Sequence, residues 1–223
     1  MVALALLVPM PSLGTAASML WWPGTLGGQA VFLACKLWVA ALPLFWLLRV
    51  ERGRLSWSPP RQGGFLAAGL LGLLIAAAIV AAYWLSRSMG WLDVAQVAER
   101  AARTGLGNRG VYLAGALYWV GLNSLLEEYV WRWFCLRQCE RLFSGRRAVL
   151  AAAVGFTLHH VIALAAQFSW PLAALGSGGV FVGGVVWGWL YLRYRSVWPC
   201  YVSHAIADLP IFVLGWRIIF GGS

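Results

Sequence analysis

Long apolar runs dominate the chain, and short polar segments separate them. A helix needs about 20 predominantly apolar residues to cross the hydrocarbon core of a bilayer. Six runs meet this requirement, at residues 28–48, 65–85, 111–134, 148–168, 172–192 and 197–220. A further apolar run, residues 1–22, contains Pro9 and Pro11 and lacks the basic start of a signal peptide, so it could be a kinked span or a re-entrant segment. The pattern predicts an all-α, polytopic transmembrane helical bundle of six to seven spans.

Composition supports a membrane protein and excludes a nucleic-acid-binding one. Hydrophobic residues make up 61% of the chain and charged residues 11%, whereas a soluble domain has about 25% charged residues. The net charge of +10 would suggest a nucleic-acid partner in a soluble protein. Here the basic residues lie mostly in short loops between the apolar runs, which is typical of membrane topology. We therefore expect the lipid bilayer, and no nucleic acid, as a partner, and a multi-pass location in the cell membrane.

The loop arginines predict the orientation of the bundle. The loops that follow the spans at 28–48, 111–134 and 172–192 lie on one side and contain ten basic residues. The opposite side contains five, four of them in the long connection 86–110. The positive-inside rule therefore places the ten-arginine side in the cytoplasm. The connection 86–110 contains an amphipathic stretch, which we expect to lie on the outer surface.

Ionisable residues inside the spans are the candidates for function, because a charge in lipid is costly. Lys36 lies in the span 28–48, where its ammonium could snorkel or be paired. The others cluster on three helices and include every histidine of the chain: Glu127, Glu128, Arg132, His159, His160, His204 and Asp208.

The two adjacent glutamates are expected to have different roles. Glu128 and Arg132 are four residues apart, in the order that favours an intrahelical ion pair. Glu127 lies about 100° away around the helix and therefore faces elsewhere. Because it has no cation of its own on that helix, Glu127 is the candidate general base.

The depths of these residues suggest one shared site. At about 1.5 Å per residue, Glu127 lies about 10 Å from the cytoplasmic end of its helix and His204 about 12 Å, with His160 and Asp208 near 18 Å. A glutamate and a histidine can activate a water, and a second polar pair can stabilise an oxyanion, which is the chemistry of acyl hydrolysis. His159 points away from His160 and is either a neighbour or a supporting group.

Two other interpretations use the same residues. Glu127, His160 and His204 could hold a zinc ion with an open position for water. Alternatively, a non-catalytic transporter or scaffold could use the buried charges for proton movement or packing.

Three motifs in order resemble those of the CPBP family, the CAAX proteases and bacteriocin-processing enzymes (ABI family), which includes the type II CAAX prenyl endopeptidases. The motifs are Glu127-Glu128-x-x-x-Arg132, Phe156-x-x-x-His160 and His204-x-x-x-Asp208. They divide the chain into a catalytic core, residues 111–220, and an N-terminal part, residues 1–110, that carries no matching motif.

The resemblance implies a glutamic-type intramembrane endopeptidase that needs no cofactor. Glu127 and His160 match the pair that activates water, and His204 and Asp208 match the oxyanion pair. Glu128 and Arg132 match the supporting pair of the family. Asp208 stands where the family commonly has Asn, so the third motif departs from the form found in the prenyl endopeptidases. The implied substrate is a membrane-anchored protein or peptide cleaved near its C-terminus, either in CAAX-type processing or in removal of a sorting signal.

Overall fold

A computed structural model describes residues 1–221 of the chain, and 82% of the protein is helical. Within the described residues no strand occurs. The α-helices are α1 (Val2–Leu7), α2 (Pro9–Ala16), α3 (Leu26–Phe45), α4 (Phe65–Ser88), α5 (Val94–Arg103), α6 (Arg109–Leu117), α7 (Ser124–Glu128), α8 (Arg137–Glu140), α9 (Gly145–Gln167), α10 (Trp170–Tyr194) and α11 (Val197–Phe220). Four π-helical segments extend or connect them: Ala17–Trp21, Trp46–Val50, Tyr118–Asn123 and Tyr129–Leu136.

Six helical segments of the described chain are long and apolar enough to cross a membrane. They are Val2–Trp21, Leu26–Val50, Phe65–Ser88, Gly145–Gln167, Trp170–Tyr194 and Val197–Phe220. This confirms the predicted polytopic all-α bundle. The N-terminal run, whose structure the sequence left open, is one of the six.

The predicted span at 111–134 has a different character from the others. It lies in a continuous helical run over residues 109–140, in which two π-helical segments flank the short helix α7. This run is not among the six segments, because the polar residues from Asn123 to Arg132 interrupt its apolar sequence. π-Helical turns inside α-helices are rare and occur often at functional sites. The interrupted helix is the one that carries Glu127 and Glu128.

The three arginine-rich loops meet at one end of the bundle, as the topology predicts. Arg195 forms a two-pronged ion pair with Glu140, with both N–O distances 2.9 Å. Gln138 donates to Glu51 at 2.7 Å, which joins the loop after α3 to the end of the run 109–140. At the opposite end, the hydroxyl of Ser169 donates to the carbonyl of Trp91 at 2.7 Å.

Close packing of helix pairs brings the candidate residues together. On α10, a Cβ at Gly188 would lie 2.9 Å from Val149 of α9, and one at Gly184 would lie 3.2 Å from Ala153. A larger residue at either position would press against α9, so the two glycines let these helices approach closely. The buried π-helical segment Tyr129–Leu136 packs against both α9 and α10 in the core.

Candidate functional site

Glu128 is the anchor of the buried cluster. Its side chain is fully buried, and its Oε1 lies 3.1 Å from Arg132 Nη1, so the predicted intrahelical pair forms. The same oxygen lies 2.8 Å from Nδ1 of His204 on α11. Because an ionised carboxylate can only accept, Nδ1 of His204 carries a proton and donates it to Glu128. Glu128 thus connects its own helical run to α11, and it also connects two successive turns of that run through Arg132.

Glu127 faces the same histidine from the other side. Its Oε2 lies 3.7 Å from Nε2 of His204, and its side chain is 18% exposed, whereas that of Glu128 is inaccessible. Its Oε1 accepts a hydrogen bond from Nδ2 of Asn123 at 3.0 Å. Asn123 in turn accepts from Nζ of Lys36 at 2.9 Å. The expectation that Glu127 has no cation on its own helix holds, but the structure connects it through an amide to a lysine of α3.

Asp208 lies one turn beyond His204 on α11 and is held by Ser124. Its Oδ2 lies 3.7 Å from Nε2 of His204 and 2.8 Å from the hydroxyl oxygen of Ser124. Ser124 Oγ also lies 2.9 Å from the carbonyl oxygen of Trp119, within the preceding π-helical segment. A hydroxyl has one hydrogen and a carbonyl can only accept. Both contacts are hydrogen bonds when Ser124 donates to Trp119 and a protonated Asp208 donates to Ser124.

The two adjacent histidines of α9 complete the cluster. Nδ1 of His160 lies 3.0 Å from the carbonyl of Phe156, so this nitrogen is the donor and Nε2 is left with a lone pair. His159 stacks on Trp131 at 5.9 Å between ring centroids. Ligand atoms of Glu127, His159 and His160 all lie within 4.8 Å of one another. The trio that could hold a metal therefore contains His159, where the sequence suggested His204.

Aromatic rings enclose the charged groups. The indole of Trp187 stacks on His204 with the centroids 3.9 Å apart and the planes 16° apart. The guanidinium of Arg132 lies over the rings of Phe156 and Trp187, at 4.6 and 5.1 Å. A cation over an aromatic face is attracted by the ring quadrupole. These rings keep the Glu128–Arg132–His204 contacts away from solvent.

The structure thus gathers all the site residues predicted from the sequence into one cluster between α7, the π-helical segment that follows it, α9 and α11. Sequence reasoning missed Asn123 and Ser124 and left the partner of Lys36 open. One signal was available, because Asn123 and Ser124 precede Glu127 and Glu128 by four residues and so share their faces. The contact with Lys36 had no local signal, since 87 residues separate it from Asn123.

Fold and site together define a multi-pass helical membrane protein with carboxylates and imidazoles clustered among its helices. Residues 109–210 match the family model described as type II CAAX prenyl endopeptidase Rce1-like. The match starts at the first residue of α6, ends within α11 and includes all three motifs, which confirms the resemblance to the CAAX protease family. The similarity to Rce1-like proteases extends over a little less than half of the chain. Comparison with curated proteins gave no match, and comparison with solved structures gave none.

Proposed function

We propose that this protein is a glutamic-type intramembrane endopeptidase. Its substrate would be a membrane-anchored protein or peptide, cleaved near the C-terminus. The observation that carries the proposal is the position of His204, whose Nε2 lies 3.7 Å from both Glu127 and Asp208 while its Nδ1 is fixed by Glu128. Groups suited to water activation and to oxyanion stabilisation therefore face the same small volume.

Glu127 and His160 are the proposed water-activating pair. Glu127 is the more accessible of the two glutamates and keeps one oxygen free of strong contacts, so it can accept a proton from water. His160 has its lone pair on Nε2, so it can accept a hydrogen bond from the same water. The water oxygen would attack the scissile carbonyl carbon, and the proton held on Glu127 would pass to the leaving amine.

Asp208 and His204 are the proposed oxyanion pair. The contacts of Ser124 favour a protonated Asp208, which is the form of the carboxyl group that can donate a hydrogen bond. His204 becomes a second donor when Nε2 is also protonated, because its Nδ1 proton is committed to Glu128.

A zinc-dependent hydrolase is the second candidate, and one observation favours it. Glu127, His159 and His160 offer three ligand atoms within 4.8 Å of one another, and Glu with two His is a known set for catalytic zinc. A bound zinc ion would supply an activated water. The two candidates differ in their need for His159, which has no role in the metal-free proposal.

Cleavage by the purified protein in liposomes tests the proposal. The probes are a farnesylated peptide ending in a Cys-aliphatic-aliphatic-any sequence, the same peptide without the prenyl group, and a peptide with an apolar C-terminal anchor. We expect Glu127→Gln to lower kcat by at least about 1000-fold, the scale of losing a principal catalytic group. The matched control is Glu99→Gln, which changes an exposed glutamate of α5 and should cleave at the wild-type rate.

Full cleavage by Glu127→Gln would contradict the glutamic mechanism. Loss of cleavage in His159→Ala together with loss of one bound zinc per chain would favour the metal hydrolase. The pattern of probes defines the substrate class, since preference for the farnesylated peptide indicates CAAX-type processing.

A further inference from the structure

Lys36 is an unusual residue for its position. It lies within the apolar segment Leu26–Val50, in the part of the chain outside the family match. Its Nζ donates to Oδ1 of Asn123 at 2.9 Å and lies over the rings of Trp119 and Tyr118, at 4.6 and 5.1 Å. No carboxylate within residues 1–221 forms an ion pair with it. A charged group in a span is costly, and such residues are functional candidates.

The contact with Lys36 fixes which way the Asn123 amide faces. An ammonium group can only donate hydrogen bonds, so the amide oxygen must be the atom that faces Lys36. The amide nitrogen is then on the other side, where it donates to Oε1 of Glu127 at 3.0 Å. An amide turned the opposite way would present its oxygen to the carboxylate and repel it. The lysine therefore selects the one amide orientation that holds Glu127.

We propose that Lys36 is a positioning residue that acts through Asn123 to hold the Glu127 carboxylate with its Oε2 directed towards His204. This rests on the proposed function of Glu127. It assigns a role in the reaction to the N-terminal part of the chain, which sequence motifs left without one. The other charged or titratable groups around Glu127 are His204 and Asp208 on α11, His159 and His160 on α9, and Glu128.

The experiment compares Lys36→Met, Asn123→Ala and the double variant in the liposome cleavage assay. Rates are normalised to the amount of folded protein eluting as a single species. Loss of a hydrogen bond to a charged group corresponds to about 10- to 100-fold in rate. We expect Lys36→Met to lower kcat in that range and to leave KM within about twofold, because the proposed role of Lys36 is to orient Glu127 for the chemical step. Arg49→Met is the matched control, since it removes an exposed cation from the same helical segment.

The double variant separates positioning from a merely structural role. If Lys36 acts through Asn123, the double variant should be no slower than Asn123→Ala alone. Additive losses, or a Lys36→Met enzyme with wild-type kcat, would overturn the inference while Glu127→Gln still reports on the proposed function. A wild-type protein that cleaves none of the probes would overturn both.

Discussion

The buried Glu128–Arg132 pair allows the sharpest test of how the site is held together. Glu128→Gln keeps the size of the side chain and can still accept the Nδ1 proton of His204. It removes the negative charge 3.1 Å from Arg132, a guanidinium whose side chain is only 3% exposed. The variant therefore leaves a buried cation without its carboxylate, while the shape of the core is unchanged.

The expected cost follows from the burial. Removing one partner of a buried ion pair costs about 3–5 kcal/mol, because the remaining charge loses its compensation. That corresponds to a fall in the thermal midpoint on the order of 10 °C. Removing both charges is much less harmful, since an uncharged pair of similar volume is often as stable as the ion pair. The double variant Glu128→Gln/Arg132→Met should therefore recover most of that loss and be about 3–5 kcal/mol more stable than Glu128→Gln.

Thermal unfolding in detergent, followed by loss of the monodisperse species, measures both effects. Glu127→Gln is the matched control, because its carboxylate is partly exposed and a glutamine can keep the hydrogen bond from Asn123. We expect its midpoint to stay near that of the wild type. A double variant no more stable than Glu128→Gln would refute the argument, since an uncompensated Arg132 could not then be the cause.

Three further predictions follow from the site and the topology. Ser124→Ala removes the hydroxyl that contacts Asp208 at 2.8 Å and should lower kcat about 10-fold with little change in KM. The exposed Ser144→Ala is the control, and equal rates for the two variants would contradict a role of the Ser124 contact in positioning Asp208. The metal-free mechanism predicts that elemental analysis finds substoichiometric zinc and that EDTA leaves cleavage unchanged, and a chelator-sensitive enzyme would contradict it. In a variant without the four native cysteines, a membrane-impermeant maleimide should label Thr104→Cys in intact cells. It should label Ser56→Cys only after the membrane is permeabilised, and the reverse pattern would contradict the positive-inside assignment.

The bundle could be predicted from the sequence because its signal is local. Each span is a continuous apolar stretch, and the energetic demand of lipid on the backbone makes every such stretch helical. The loops that meet at the arginine-rich end were predicted in the same way, by the alternation of sides along the chain. The N-terminal run was harder, because Pro9 and Pro11 weaken the helix signal, although the proline at the start of α2 is compatible with a first helical turn.

The catalytic candidates could also be predicted, because polar groups in apolar spans stand out. Glu127, His160, His204 and Asp208 were each visible from their own segment, and counting residues from the helix ends gave them similar depths. The π-helical segments around α7 were not visible. They depend on which backbone and side-chain groups compete for the same carbonyls, as Ser124 does for that of Trp119.

The sequence by itself determined the all-helical membrane bundle, the side of the membrane on which each loop lies, and the set of polar residues in the spans. Each of these follows from the apolar or polar character of a short stretch of chain. Only the tertiary structure decided which of those residues contact one another and which of them are accessible. Glu128 is buried between Arg132 and His204, whereas the adjacent Glu127 is partly accessible. Asn123 connects Glu127 to Lys36, which lies 87 residues from Asn123 along the chain. The physical reason is that the energy of a charged group in a low-dielectric interior depends mainly on its nearest partners, and most of those partners belong to other helices.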